Sequence, residues 1–121
     1  MRGAWVQEVS VILIDRSLNR PQRNSTLAHE LAHIDLRHHE HTPPGRWFAA
    51  RFEVEADTLA ARRLLHDVDE VAEAMALHPQ DLASAAEYLE VTPEVLMRRI
   101  STLTRVEQAV IVDRLDRLDP C

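Results

Sequence analysis

The first patterned stretch, VQEVSVILID (Val6 to Asp15), is a nearly continuous apolar run rich in β-branched residues, which predicts a strand buried on much of both faces. RSLNRPQRN is polar and predicts a loop. Asn24 or Ser25 can then cap a helix starting near Thr26, with a side-chain oxygen accepting from first-turn N–H groups. Leu27, Ala28, Leu31, Ala32, Ile34 and Leu36 make this helix apolar nearly all round, as in a buried element. HTPPG (His41 to Gly45) ends it, because proline lacks an N–H and restricts the residue before it.

Everything after Gly45 reads as helix. One helix runs from about Arg46 to His66, and Asp67 with Glu70 has the spacing of a capping box that opens a short helix ending near His78 and Pro79. PQDLASAAEYLE is a further helix, Thr92 with Pro93 is a cap followed by proline at the first helical position, and Thr104 with Glu107 is another capping box. The last helix, Arg105 to Leu118, is expected to bury a face made of Val106, Ala109, Val110, Leu115 and Leu118.

Composition narrows this picture. A chain of 121 residues that is 45% hydrophobic is of a size for one domain with its own core. No apolar run approaches the roughly 18 residues of a membrane span, and the start MRGAWVQEV lacks the features of a signal peptide, so the expected location is cytoplasmic. The one cysteine, Cys121, excludes an internal disulfide and a thiolate metal site. The net charge of −6 disfavours a broad grip on nucleic acid. All 14 basic residues are arginine, which carries no mechanism.

The chemistry is concentrated in LAHELAHIDLRHHEH, which holds five of the seven histidines. In HELAH, His29 and His33 lie one helical turn apart on one face, so both imidazoles can reach one ion, and Glu30 leans over the same site. A histidine pair on a buried helix needs polar partners or a metal, and imidazoles with carboxylates point to zinc. A catalytic zinc site needs a third protein ligand. Glu53, in RFEVEADTLAAR on the following helix, is the better-placed candidate, with Asp57 on the same face able to accept from a ligand imidazole's other N–H. His39 is the competitor, six residues after His33, but Leu36 stands where such sites use glycine for a sharp turn. His38, His39 and His41 are then read as exposed helix-end residues suited to the negative end of the helix dipole, and Glu55 as the partner of Arg51.

VILIDRSLNRPQR, TLAHELAH, EVEADTLAA and, more loosely, YLEVTPEVLMRRISTL together resemble the ImmA/IrrE family of bacterial and phage metallopeptidases over most of the chain. Ala32 replaces a usual glycine and Leu59 a usual phenylalanine. The resemblance implies zinc on His29, His33 and Glu53 with Glu30 as catalytic base, and cleavage of a helix-turn-helix repressor of a prophage or mobile element. The implied fold class is α+β, mainly α: an abbreviated zincin core, made of a small sheet, the HExxH helix and a second ligand helix, followed by a C-terminal helical segment. The expected organisation is one domain, 1–121, with the core over 1–66 and a helix-turn-helix-like segment over 67–121.

The reaction expected of such a site is hydrolysis by a water whose proton Glu30 takes and passes to the leaving amine. No oxyanion donor stands out; Tyr88, His66 and His78 are the obvious side chains, each better read as structural. DLASAAEYLEVTPEVLMRRISTL has helix-turn-helix character with Arg98 and Arg99 on its second helix, an element that could read DNA, but Asp81 to Arg105 is slightly acidic, which favours a helical hairpin packed on the core or on a partner protein. The alternative function is a non-proteolytic regulator, an antirepressor or DNA-binding protein with a structural zinc site.

Overall fold

The computed structural model describes residues 3–6, 11–38 and 45–118. Two short strands, β1 (Gly3–Val6) and β2 (Val11–Ile14), pair antiparallel with Gly3 opposite Ile14 and Val6 opposite Val11. The single strand expected over Val6 to Asp15 is thus replaced by a hairpin pairing, its residues 7–10 lying outside the described residues. A continuous apolar run signals burial but not where the chain reverses, and no Asn-Gly type of turn signal marks the reversal. Nor is β2 buried on both faces, since Leu13 is exposed.

Six helices follow among the described residues: α1 (Arg20–Asp35), α2 (Arg46–Leu64), α3 (Val68–Leu77), α4 (Leu82–Tyr88), α5 (Pro93–Ser101) and α6 (Arg105–Leu118). The molecule is therefore mainly helical with a small sheet, as the fold-class reading expects. None of the described helices is long and apolar enough to cross a membrane.

Helix α1 starts six residues earlier than Thr26. Asn19 is its cap: the Asn19 side chain accepts from the Gln22 N–H at 2.9 Å, and the Gln22 side chain accepts from the Asn19 N–H at 3.0 Å. Pro21 sits in the first turn, where its missing N–H costs nothing. Asn24 and Ser25 have another task. The Asn24 amide donates to the Glu90 carbonyl at 3.0 Å, and the Ser25 hydroxyl accepts from the Thr92 N–H at 3.2 Å, tying α1 to the turn between α4 and α5. That turn runs through Glu90 at φ 58°, with the Val91 N–H bonded to Ala86 O and the Glu90 N–H to Glu87 O, a Schellman closure in which a non-glycine residue takes the left-handed position.

The larger core gathers Leu65 at the end of α2 with Val71, Ala72, Ala74, Ala85, Ala86, Val91, Leu96 and Ile111 from the segment α3 to α6. Helix α6 has the expected bounds but buries a different face. Ile111 is buried and Leu115 packs against the core, while Val106, Val110 and Leu118 are exposed. Its rotation follows from Glu107, which closes the capping box with Thr104 and also receives the guanidinium of Arg99 in a two-pronged pair at 3.1 and 2.6 Å. Ile111 and Leu115 stand one and two turns beyond Glu107, so they share its inward side. At the start of α3, Asp67 caps through the Asp69 N–H, and the reciprocal bond from Glu70 is not made. Thr92 occupies the cap position of α5 without a side-chain cap bond; its own N–H is the one taken by Ser25.

Candidate metal centre

Helices α1 and α2 meet through a smaller core of Ala32, Ala56 and Ala60, with Ala28 and Leu59 packed against it. Alanines keep side-chain volume at the contact low, so the helix axes approach closely and short polar side chains beside the seam can touch. Four of the residues singled out from the sequence do so. His29 Nε2 and His33 Nε2 are 3.1 Å apart, Glu53 Oε2 is 3.0 Å from His29 Nε2, and Glu53 Oε1 is 3.1 Å from His33 Nε2. Asp57 Oδ1 lies 2.7 Å from His29 Nδ1.

These contacts define a donor set. Asp57 accepts the Nδ1 hydrogen of His29, leaving its Nε2 lone pair pointed at Glu53 and His33. Carboxylate oxygens and imidazole lone pairs repel at such separations unless a cation or proton lies between them. Tetrahedral coordination with bonds of ~2.0–2.1 Å separates donors by about 3.3 Å, so the observed spacing fits a small divalent ion with little adjustment. His29, His33 and Glu53 each offer a ligand atom to one point.

The two imidazoles differ in their titration. The bond to Asp57 raises the pKa of His29 above the ordinary histidine value against the opposing effect of burial, whereas burial lowers that of His33. Burial also raises Glu30 above the usual carboxylate range, with His29 opposing and Glu53 adding to the rise. Glu30 faces a cleft of about 620 Å³ lined also by His29, Asp57, Gly3, Thr26 and, from α5 and its cap, Thr92, Glu94, Val95 and Arg98. Gly3 is required where the hairpin closes on α1: a Cβ there would come within 2.7 Å of the Thr26 methyl and 2.9 Å of Leu13 O.

Two residues of the site were not read from the sequence. His38, expected at the surface, is buried: its Nδ1 lies 2.7 Å from His33 Nδ1 and its Nε2 3.1 Å from Glu55 Oε2. Glu55 also meets Arg51 at 3.6 Å, as expected of it. Leu36 keeps an ordinary helical φ, and Arg37, at φ 61°, makes the turn that brings His38 back; nothing in the sequence marks an arginine for that conformation. The second residue is Arg98, which lines the cleft and has no hydrogen bond or ion pair to its guanidinium among the described residues. Its neighbour Arg99 is buried, bonded through Nε to Leu65 O at 2.9 Å and through its other nitrogens to Glu107, so it is not available to a phosphate.

Tyr88 donates to Glu73 at 3.2 Å, His66 is exposed and His78 lines a different hollow; none of the three faces the cleft. His39 and His41 lie outside the described residues.

A histidine pair one helical turn apart, met by a glutamate from the next helix and flanked by a second glutamate facing a cleft, places the protein among metallopeptidase-type hydrolases. Residues 2–101 match the family model of the IrrE N-terminal-like domain, a peptidase family, and the chain belongs to that family. The ImmA/IrrE resemblance of the sequence is thereby borne out. No curated protein and no solved structure gives a match.

Proposed function

We propose that the protein is a zinc-dependent endopeptidase that cleaves a cytoplasmic helix-turn-helix repressor of a phage or mobile element, and so acts in transcription regulation. The observation that carries the reading is the convergence of His29, His33 and Glu53 on one point, with His29 and Glu30 lining the adjoining cleft. His29, His33 and Glu53 would hold zinc, and Asp57 holds the ring of His29 in the tautomer that ligation through Nε2 needs. Bound there, zinc would supply a lowered water pKa, about 7, and polarisation of a scissile carbonyl. Glu30 accepts the proton of the attacking water and passes it to the leaving amine. Arg98, which also lines the cleft, would supply the positive charge that a developing oxyanion requires.

In this reading 1–121 is one domain. The core over 1–66 carries the ligands and the helical segment over 67–121 supplies a wall of the cleft through α5, a use of the helix-turn-helix-like segment that engages a protein substrate rather than DNA.

The test is zinc content together with cleavage of a repressor encoded by a neighbouring gene, co-expressed with this protein. About one equivalent of zinc in the wild type, lost in His29→Ala, and a cut repressor are expected. Repressor binding with zinc present and no cut would instead mark a non-proteolytic antirepressor. Arg98→Ala is expected to lower kcat on the order of 10²-fold at unchanged zinc content; full turnover in that variant removes the arginine from the chemistry.

A further inference from the structure

We infer that His38 and Glu55 are positioning residues for the metal-facing imidazole of His33, forming a two-member relay that does for His33 what the single contact with Asp57 does for His29. The inference rests on the reading of His29, His33 and Glu53 as metal ligands.

The two ligand imidazoles are anchored differently. His29 meets a carboxylate directly, whereas His33 meets another imidazole, Nδ1 to Nδ1 at 2.7 Å. Two ring nitrogens bond only if one carries the hydrogen and the other a lone pair. Two directions are open. In the first, His33 Nδ1–H donates to His38 Nδ1, and His38 Nε2–H donates to Glu55 Oε2 at 3.1 Å. Every contact in that chain then has one hydrogen, and His33 Nε2 keeps its lone pair for the ion. In the second, a neutral His38 donates from Nδ1, which turns its Nε2 lone pair onto the Glu55 carboxylate and places a hydrogen on His33 Nε2, where the ion should be. Repulsion between the lone pair and the carboxylate rejects the second direction. A His38 with hydrogen on both nitrogens would likewise leave the His33 hydrogen on Nε2, against the ion. With the metal held by His33, it is the first direction, completed by Glu55, that satisfies every contact.

The ring of His38 is also held in place. It is 9% exposed and lies flat on Phe52, with centroids 4.1 Å apart and planes 6° from parallel. Arg37 takes a left-handed conformation immediately before it, one that few arginines adopt and that turns the chain back under α1. Arg51 meets the other carboxylate oxygen of Glu55 at 3.6 Å. An exposed helix-end histidine would have none of these constraints.

The experiment is a zinc competition titration against a chromophoric chelator, paired with thermal melting of the metal-free proteins. His38→Phe keeps an aromatic ring to stack on Phe52 but removes the acceptor. It is expected to bind zinc about 10- to 100-fold more weakly while the metal-free protein melts as the wild type does. His38→Asn, whose amide oxygen can take the place of Nδ1, is expected to recover most of the affinity. Nitrogen NMR of the zinc-loaded wild type should show hydrogen on Nδ1 of His33 and on Nε2 of His38. Zinc affinity in His38→Phe within about twofold of the wild type overturns the relay, as does a loss matched by an equal loss of metal-free stability, or a hydrogen on Nδ1 of His38. A wild type that takes up no zinc overturns the metal reading as well, so failure of the relay alone is told apart by tight zinc binding in wild type and variant alike.

Discussion

Glutamine in place of Glu30 is expected to leave zinc bound at about one equivalent and to slow peptide hydrolysis by about 10²- to 10⁴-fold, the range that a positioned general base contributes. The amide has nearly the shape of the carboxylate but no site for the proton. Glu30 is outside the donor set of His29, His33 and Glu53, so removing its charge leaves the ligands in place. Metal content and single-turnover cleavage measured on the same preparation check the split. A Glu30→Gln protein that still cuts at the wild-type rate would falsify the mechanism while leaving the metal site intact.

Alanine in place of Glu107 is expected to cost about 3 kcal/mol of folding stability, the lower end of the range for breaking a buried ion pair, since Glu107 itself keeps some contact with water. Arg99 is 1% exposed, and without its partner its charge stays buried with only the Leu65 carbonyl bonded to Nε. The same substitution removes the bond from the Thr104 N–H that helps start α6. Glutamine at 107 isolates the charge, because its amide oxygen can still accept from Thr104. The Glu107 carboxyl is pulled down to about 2, first by its hydrogen bonds from Arg99 and then by that from Thr104. A folded-state pKa below the unfolded value means the contribution is complete above the ordinary carboxylate range and is lost as pH falls toward 2. Urea denaturation of the wild type should therefore show stability declining between about pH 5 and pH 2, with a shallower decline in Glu107→Gln. Equal slopes in the two proteins would remove the ion pair from the account of stability.

Helix-level features of the site were legible because they depend on local spacing. His29 and His33 share a face by the period of the helix, as do Glu53 and Asp57, and Thr104 with Glu107 announces a cap wherever the helix goes. Misreadings arose where one local rule competed with another. Ser25 and Asn24 are good caps by type, but Asn19 with Gln22 and Pro21 made a complete cap upstream, which freed the later pair for contacts with the α4–α5 turn. Several apolar positions on α6 satisfied a helical stripe equally well, and the ion pair from Arg99 chose among them.

By itself the sequence determined the donor types, the element each sits on and the absence of thiolate alternatives, because residue identity and helical period are properties of the chain alone. The tertiary structure decided which carboxylate faces the imidazole pair, that His38 turns inward to meet His33 and Glu55, and that Arg99 belongs to the core while Arg98 borders the cleft. Those outcomes depend on how closely α1 and α2 approach across their alanines and on where α5 docks. Such distances are set by packing between residues far apart in the chain, which no spacing along it encodes.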